Sequence, residues 1–153
     1  MRLPVNNPLT VPSMSHSHEF SVEDVDVAID FVIRNGAEDR GQTLSYSRVF
    51  NAAGLPAPQE LHMGGDPQRV TEFMEAFHKR CEARQLPPLD ALVVHVAARR
   101  AGFPGAGYFR INGLADPLAD RAKPEAVTAS VRFWEEQRET CKRWGVKSRR
   151  GHT

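Results

Sequence analysis

The stretch LPPLDALVVHVAARRAGFPGAGYFRI, residues 86–111, decides how the chain is read. Pro87 and Pro88 end the helix before them, since neither has a backbone N–H and each restricts the residue it follows. The run 91–97 is short, apolar and rich in valine, which predicts a largely buried strand holding one histidine, His95. Gly102, Pro104, Gly105 and Gly107 then interrupt regular structure, and residues 108–111 read as a second short strand. Two short strands joined this way predict an antiparallel hairpin with a long basic tip carrying Arg99 and Arg100, with Arg110 just past it.

Helices surround this segment on both sides. Asp66-Pro67 is a helix start, and Val70, Phe73, Met74, Phe77 and Cys81 mark one buried face as far as Arg84. Further upstream, Ser45 caps a short helix bearing Tyr46, Val49, Phe50 and Ala53, which Gly54 and Pro56 end; residues 55–66 form a loop by composition. Ser21, with Asp24 three residues on, forms a capping box for a first helix over 22–34. There Val22, Val25, Ile29, Val32 and Ile33 make the inner face, the acids look to water, and Gly36 supplies the stop. Downstream, Pro124 opens a helix with Val127, Val131, Trp134 and Cys141 in phase, reaching about residue 144. The expected fold is α+β and mostly helical: four helices with a two-stranded hairpin. Residues 1–18, with three prolines and no periodicity, read as a flexible arm; 19–145 as the globular domain; and 146–153 as a basic flexible tail.

Composition bounds the partners. The chain has 153 residues, 41% of them hydrophobic and 25% charged, with a net charge of +1. Those are values for one ordinary globular domain, with no overall field toward nucleic acid or an anionic membrane. Charge is nonetheless segregated: residues 19–30 hold five acids and no base, and 142–150 hold five bases and no acid. Two cysteines, Cys81 and Cys141, fall at apolar-phase positions and read as buried thiols of a reduced, cytoplasmic protein. No run is long and apolar enough for a membrane span.

Motif chemistry is sparse. Of six histidines, His78 stands three residues from Cys81 on one helix, but no CxxC or HExxH pattern completes a metal site, and no metal or cofactor is expected. His78 reads as a surface residue beside a core cysteine. No GxSxG elbow is present, and the glycines at 102, 105 and 107 join two strands, whereas a phosphate loop runs from a strand into a helix. His95 reads as a core histidine; paired with Tyr108 across the hairpin, it becomes the best candidate for acid–base chemistry.

Part of the chain resembles the DNA-binding domain of the alkylguanine alkyltransferases and their non-enzymatic alkyltransferase-like relatives. The residues are Thr43-Leu44-Ser45-Tyr46-Ser47-Arg48-Val49-Phe50, then Pro87-Pro88-Leu89 with the strand to His95, and Gly105-Ala106-Gly107-Tyr108. The resemblance covers roughly residues 41–109 and implies a winged-helix-like fold, with 45–54 and 67–84 as a helix-turn-helix and 91–111 as the wing. If His95 takes the place of that family's histidine, Val94 stands at the reactive-cysteine position, so the resemblance implies no alkyl transfer.

Three readings follow. The first is a non-catalytic domain that binds nucleic acid, with double-stranded DNA as partner. Gln68 and Arg69 would then lie at the start of the recognition helix, Arg99 and Arg100 on the wing, and Lys142 and Arg143 on the phosphate backbone. The second is an adaptor or inhibitor of the kind carried by mobile elements, binding a protein partner through an exposed aromatic–glycine loop at 103–109. The third is a small enzyme using His95 and Tyr108.

Overall fold

A computed structural model describes residues 20–56, 67–96 and 100–151 of the chain. The first helix, α1 (Val22–Val32), starts on the capping box read from the sequence: Ser21 Oγ accepts from the Asp24 N–H, and the Asp24 carboxylate accepts from the Ser21 N–H. It passes into one π-helical turn, Ile33–Ala37, closed by the Glu38 N–H on the Ile33 carbonyl at 2.8 Å. A two-residue strand, β1 (Leu44–Ser45), leads straight into α2 (Tyr46–Ala52), where Ser45 Oγ accepts from the Arg48 N–H at 3.1 Å. Helix α3 (Pro67–Ala83) follows, then a 3₁₀ turn (Leu89–Leu92) and strand β2 (Val93–Val94). Helices α4 (Ala106–Ile111) and α5 (Pro124–Gly151) complete the order. The fold is α+β and mostly helical, as its sequence predicts.

The expected hairpin over 91–111 does not form. Among the described residues of that segment only Val93 and Val94 form a strand, and they pair in parallel with β1, Leu44 opposite Val93 and Ser45 opposite Val94. Residues 108–111 belong to α4, so the described residues hold five helices instead of four and contain no wing. The reason lies in two neighbours: Tyr108 and Phe109 are both buried. Successive strand residues face opposite sides, whereas adjacent helical residues are about 100° apart and can both face inward.

Three further expectations are revised. Helix α5 continues past Trp144 to Gly151. Lysine and arginine are good helix formers, and cations suit a helix C-terminus. Ser148 Oγ also donates to Glu38 Oε2 at 2.6 Å, and Arg149 donates to the Glu38 carbonyl at 3.3 Å, tying the last turns to the body. The acids of α1 do not all look to water. Asp26 accepts a bidentate pair from Arg80 of α3 at 2.8 and 3.0 Å and a third bond from Arg84 at 3.1 Å, while Asp30 faces Arg84 at 3.4 Å. The Arg80 hydrogen bond holds the Asp26 carboxyl below the usual aspartate range. The loop at 103–109 is not an exposed aromatic surface: Pro104, Tyr108 and Phe109 are buried and Phe103 is half-buried. The arm at 1–18, residues 152 and 153, and Arg99 lie outside the described residues.

Buried side chains form two clusters. The larger joins α1, α2, α3 and the 3₁₀ turn around Ile29, Phe50, Phe73, Phe77, Leu89 and Leu92. The smaller gathers Ala91, Val94, Tyr108, Phe109 and Trp134, with Phe103, Leu114 and Phe133 packed on it. Helix α5 spans both. Its Trp134 indole N–H donates to the Ala91 carbonyl at 2.8 Å, and the Cys141 thiol donates to the Pro88 carbonyl at 3.2 Å. Gly145 lets the helix backbone lie on the π-helical turn, since a Cβ there would sit 1.9 Å from the Ala37 carbonyl oxygen.

Candidate functional site

A cavity of about 300 Å³ opens between α3 and α4, at the small end of the usual range for ligand sites. Val70, Thr71, Met74 and Glu75 come from α3, Tyr46 from α2, Asp90 from the 3₁₀ turn and His95 from the residue after β2; Gly105 and the helix α4 that follows it close it.

Each polar group has a structural reason to be there. Tyr46 is the first helical residue after the Ser45 cap, and its hydroxyl accepts the Gly105 N–H at 2.9 Å, which joins α2 to the start of α4. Burial pushes the Tyr46 phenol up to about 12, so it stays protonated. Its ring lies 4.7 Å, centroid to centroid, from that of His95. Gly105 keeps this corner close: a Cβ there would lie 3.2 Å from His95 Nε2 and 3.4 Å from the Tyr46 hydroxyl, so the imidazole would have to give by a few tenths of an ångström. The His95 backbone is held as well, its N–H donating to the Phe103 carbonyl at 2.9 Å and its carbonyl accepting the Gly102 N–H at 2.8 Å.

Among the described residues Asp90 is the deepest acid, 4% exposed. One oxygen, Oδ2, accepts from His78 Nδ1 at 3.0 Å, and this hydrogen bond raises the His78 pKa above its ordinary value. The other oxygen, Oδ1, is buried and has no hydrogen-bond partner among the described residues. The same holds for the hydroxyl of Tyr108, which is 7% exposed. Burial foremost, and then the Asp90 charge, pushes the Tyr108 pKa well above the tyrosine range. A buried polar atom without a partner costs about 1–3 kcal/mol, and two of the residues that line this cavity carry one.

The arrangement combines the polar residues Tyr46, Asp90, His95 and Tyr108 with an apolar wall of Val70, Met74 and Ile111. Both thiols are buried and protonated, Cys81 being pushed up to about 12 by burial and Cys141 raised by the same cause, so neither is a nucleophile. Among the described residues no cluster of three or more histidine, cysteine or acidic side chains is placed to hold a metal ion.

The residues singled out in the sequence are not brought together. Arg69 is buried, 8% exposed, and does not project from the start of α3. Arg100 forms a close ion pair with Asp116 and donates to the Pro104 carbonyl at 3.5 Å, so its charge is used inside the fold. Gln68 is exposed and donates to Glu72 at 3.1 Å on its own helix. Lys142 and Arg143 are exposed on α5. His95 and Tyr108 do line one cavity, but Tyr108 reaches it from a helix, and its hydroxyl does not bond to His95. His78 is not a surface residue beside Cys81; its side chain is 15% exposed and turned to Asp90.

Asp90 and its His78 partner escaped the sequence reading. A lone acid in the apolar run PPLDALVV is the signal that marks it, since a buried carboxylate requires a partner. No family model, curated protein or solved structure matches the chain.

Proposed function

We propose that the protein is a small-molecule-binding domain whose site is the cavity between α3 and α4. The observation that carries this reading is the cavity itself, where Tyr46, Asp90, His95 and Tyr108 from four separate elements line one space beside Val70 and Met74. The test is a titration of the ¹⁵N-labelled full chain with four fragments: phenol, imidazole, benzamidine and 2-aminopyridine. Saturable shifts at the Gly105, Gly107 and Tyr108 amides by at least one of them are expected. Four silent titrations overturn the reading.

A second reading, binding of duplex DNA, rests on α5. The helix carries Lys142, Arg143, Lys147, Arg149 and Arg150 in its final turns with no acid among them. All five are exposed, on a helix that continues to Gly151. Phosphate contacts of this kind release counterions and weaken steeply with salt. Duplex binding that is lost in Lys142→Ala/Arg143→Ala and falls with added salt supports this reading; salt-independent or unaltered binding removes it.

A further inference from the structure

Resting on the duplex-DNA reading above, we propose that the last turns of α5 lie in the major groove of B-form DNA, with one row of bases toward each phosphate strand and Val146 toward the groove floor.

The placement follows from helical spacing. Cys141 and Trp144 pack on the larger cluster, Gly145 lies on the π-helical turn and Ser148 bonds to Glu38, so one face of the helix is turned to the body. At about 100° per residue, Lys142, Arg143, Lys147, Arg149 and Arg150 fall within an arc of about 160° centred nearly opposite that face. All of them are exposed. They divide into two rows. Lys142 and Arg149 lie on the edge beside the loop at 38–41: a Cβ on Gly41 would meet Lys142 Cβ at 2.6 Å, and Arg149 donates to the Glu38 carbonyl at 3.3 Å. Arg143, Lys147 and Arg150 lie on the far edge. Val146, 43% exposed, stands between the rows.

Charge argues for phosphate. Arg80, Arg84 and Arg100 turn their charges to Asp26, Asp30 and Asp116 inside the fold. Among the described residues no acid pairs with Lys142, Arg143 or Lys147. Cations that only complement a helix dipole belong in its last turn. Arg149 and Arg150 fit that account, but Lys142 and Arg143 stand about two turns earlier. Glu135, Glu136 and Glu139 occupy the same arc upstream and are exposed. They would repel a phosphate strand, which confines the contact to 142–150, about 12 Å of helix.

Shape selects the groove. The major groove of B-DNA, about 12 Å wide, admits an α-helix and sets a phosphate strand on either side of it. Two basic rows about 100° apart around an exposed apolar residue match that section. A valine at the floor meets base edges, the thymine methyl among them. The minor groove, about 6 Å wide, does not admit a helix, and the major groove of A-form RNA is deep and narrow.

The experiment is fluorescence anisotropy of the full chain with a short, labelled A·T-rich DNA duplex, an RNA duplex of corresponding sequence, and two cationic competitors, methyl green in the major groove and netropsin in the minor. Binding of DNA at least about tenfold tighter than of RNA is expected, with displacement by methyl green and none by netropsin. Lys142→Ala and Arg143→Ala stand on opposite rows, and each is expected to lower the slope of log affinity against log salt by about one. Both side chains are exposed, so neither change disturbs the fold. Equal affinity for RNA, displacement by netropsin, failure of methyl green to displace, or an effect of only one variant overturns the groove placement and leaves the duplex reading standing. No duplex binding at low salt, or no effect of either variant, overturns both.

Discussion

The two buried clusters are built differently. The larger one is phenylalanine and aliphatic packing, with Ile29, Phe50, Phe73, Phe77, Leu89 and Leu92 fully buried. The smaller one mixes Phe109 with the polar aromatics Tyr108 and Trp134, and only the indole has found an acceptor. Their difference separates two uses of burial. The first excludes water and orders helices; the second holds hydrogen-bonding groups beside a cavity at some expense of stability. Loose polar ends beside a sound core are where recognition is to be sought.

The sharpest test of that distinction is Phe73→Ala. With its ring fully buried between Phe20 and Phe50, a loss of about 3–5 kcal/mol is expected by chemical denaturation; a loss below about 1 kcal/mol would mean the larger cluster is not the stabilising one. Gly145→Ala follows. In an ordinary helix interior this change stabilises by up to about 1 kcal/mol, but here the new methyl would strike the Ala37 carbonyl at 1.9 Å. A loss of about 2–3 kcal/mol is expected instead, and a gain in melting temperature would show that α5 does not lie on the π-helical turn as described.

Two tyrosines then divide the cavity wall itself. Tyr46→Phe deprives the Gly105 N–H of its acceptor and should cost about 1–2 kcal/mol. His78 adds a pH dependence. Because its pKa is raised in the folded chain, chiefly by the Asp90 bond, the stability it contributes is full below the ordinary histidine value of about 6.5 and is lost as pH rises through the elevated one. Stability of the parent chain is therefore expected to decline relative to His78→Gln above about pH 6.5, and parallel profiles would remove the pair from the account. The smallest change belongs to Tyr108→Phe, expected to leave unliganded stability within about 0.5 kcal/mol or to raise it slightly, as no bond is broken. A loss matching that of Tyr46→Phe would show that the Tyr108 hydroxyl is satisfied after all.

The larger cluster was legible from sequence and the smaller was not, for physical reasons. Helices α1, α3 and α5 are long enough for a 3.6-residue period to repeat, and Ser21, Ser45 and Pro124 mark their starts or that of α2. Helix α4 has only six residues, Ala106–Ile111, too few to separate a helical period from strand alternation. Strands β1 and β2 are two residues each, and their pairing joins Leu44 to Val93 across nearly fifty positions, which no local pattern announces. The site inherits this difficulty. Tyr46, His78, Asp90, His95 and Tyr108 come from separate elements, so their meeting is a property of packing and leaves no motif. The arginines that looked free, Arg69 and Arg100, were drawn inward by partners or burial that only the folded chain reveals.

The grip of α5 on the 3₁₀ turn has a practical result. Trp134 donates to the carbonyl of Ala91, the residue next to Asp90; its ring lies 5.1 Å from that of Phe103 at a tilt of 38°, and the Arg138 guanidinium lies over it at 4.9 Å. The indole is thus an optical probe already wired to the carboxylate. With Trp144, the second tryptophan of the chain, replaced by phenylalanine, the emission of a single native fluorophore would follow occupancy of the cavity without a label.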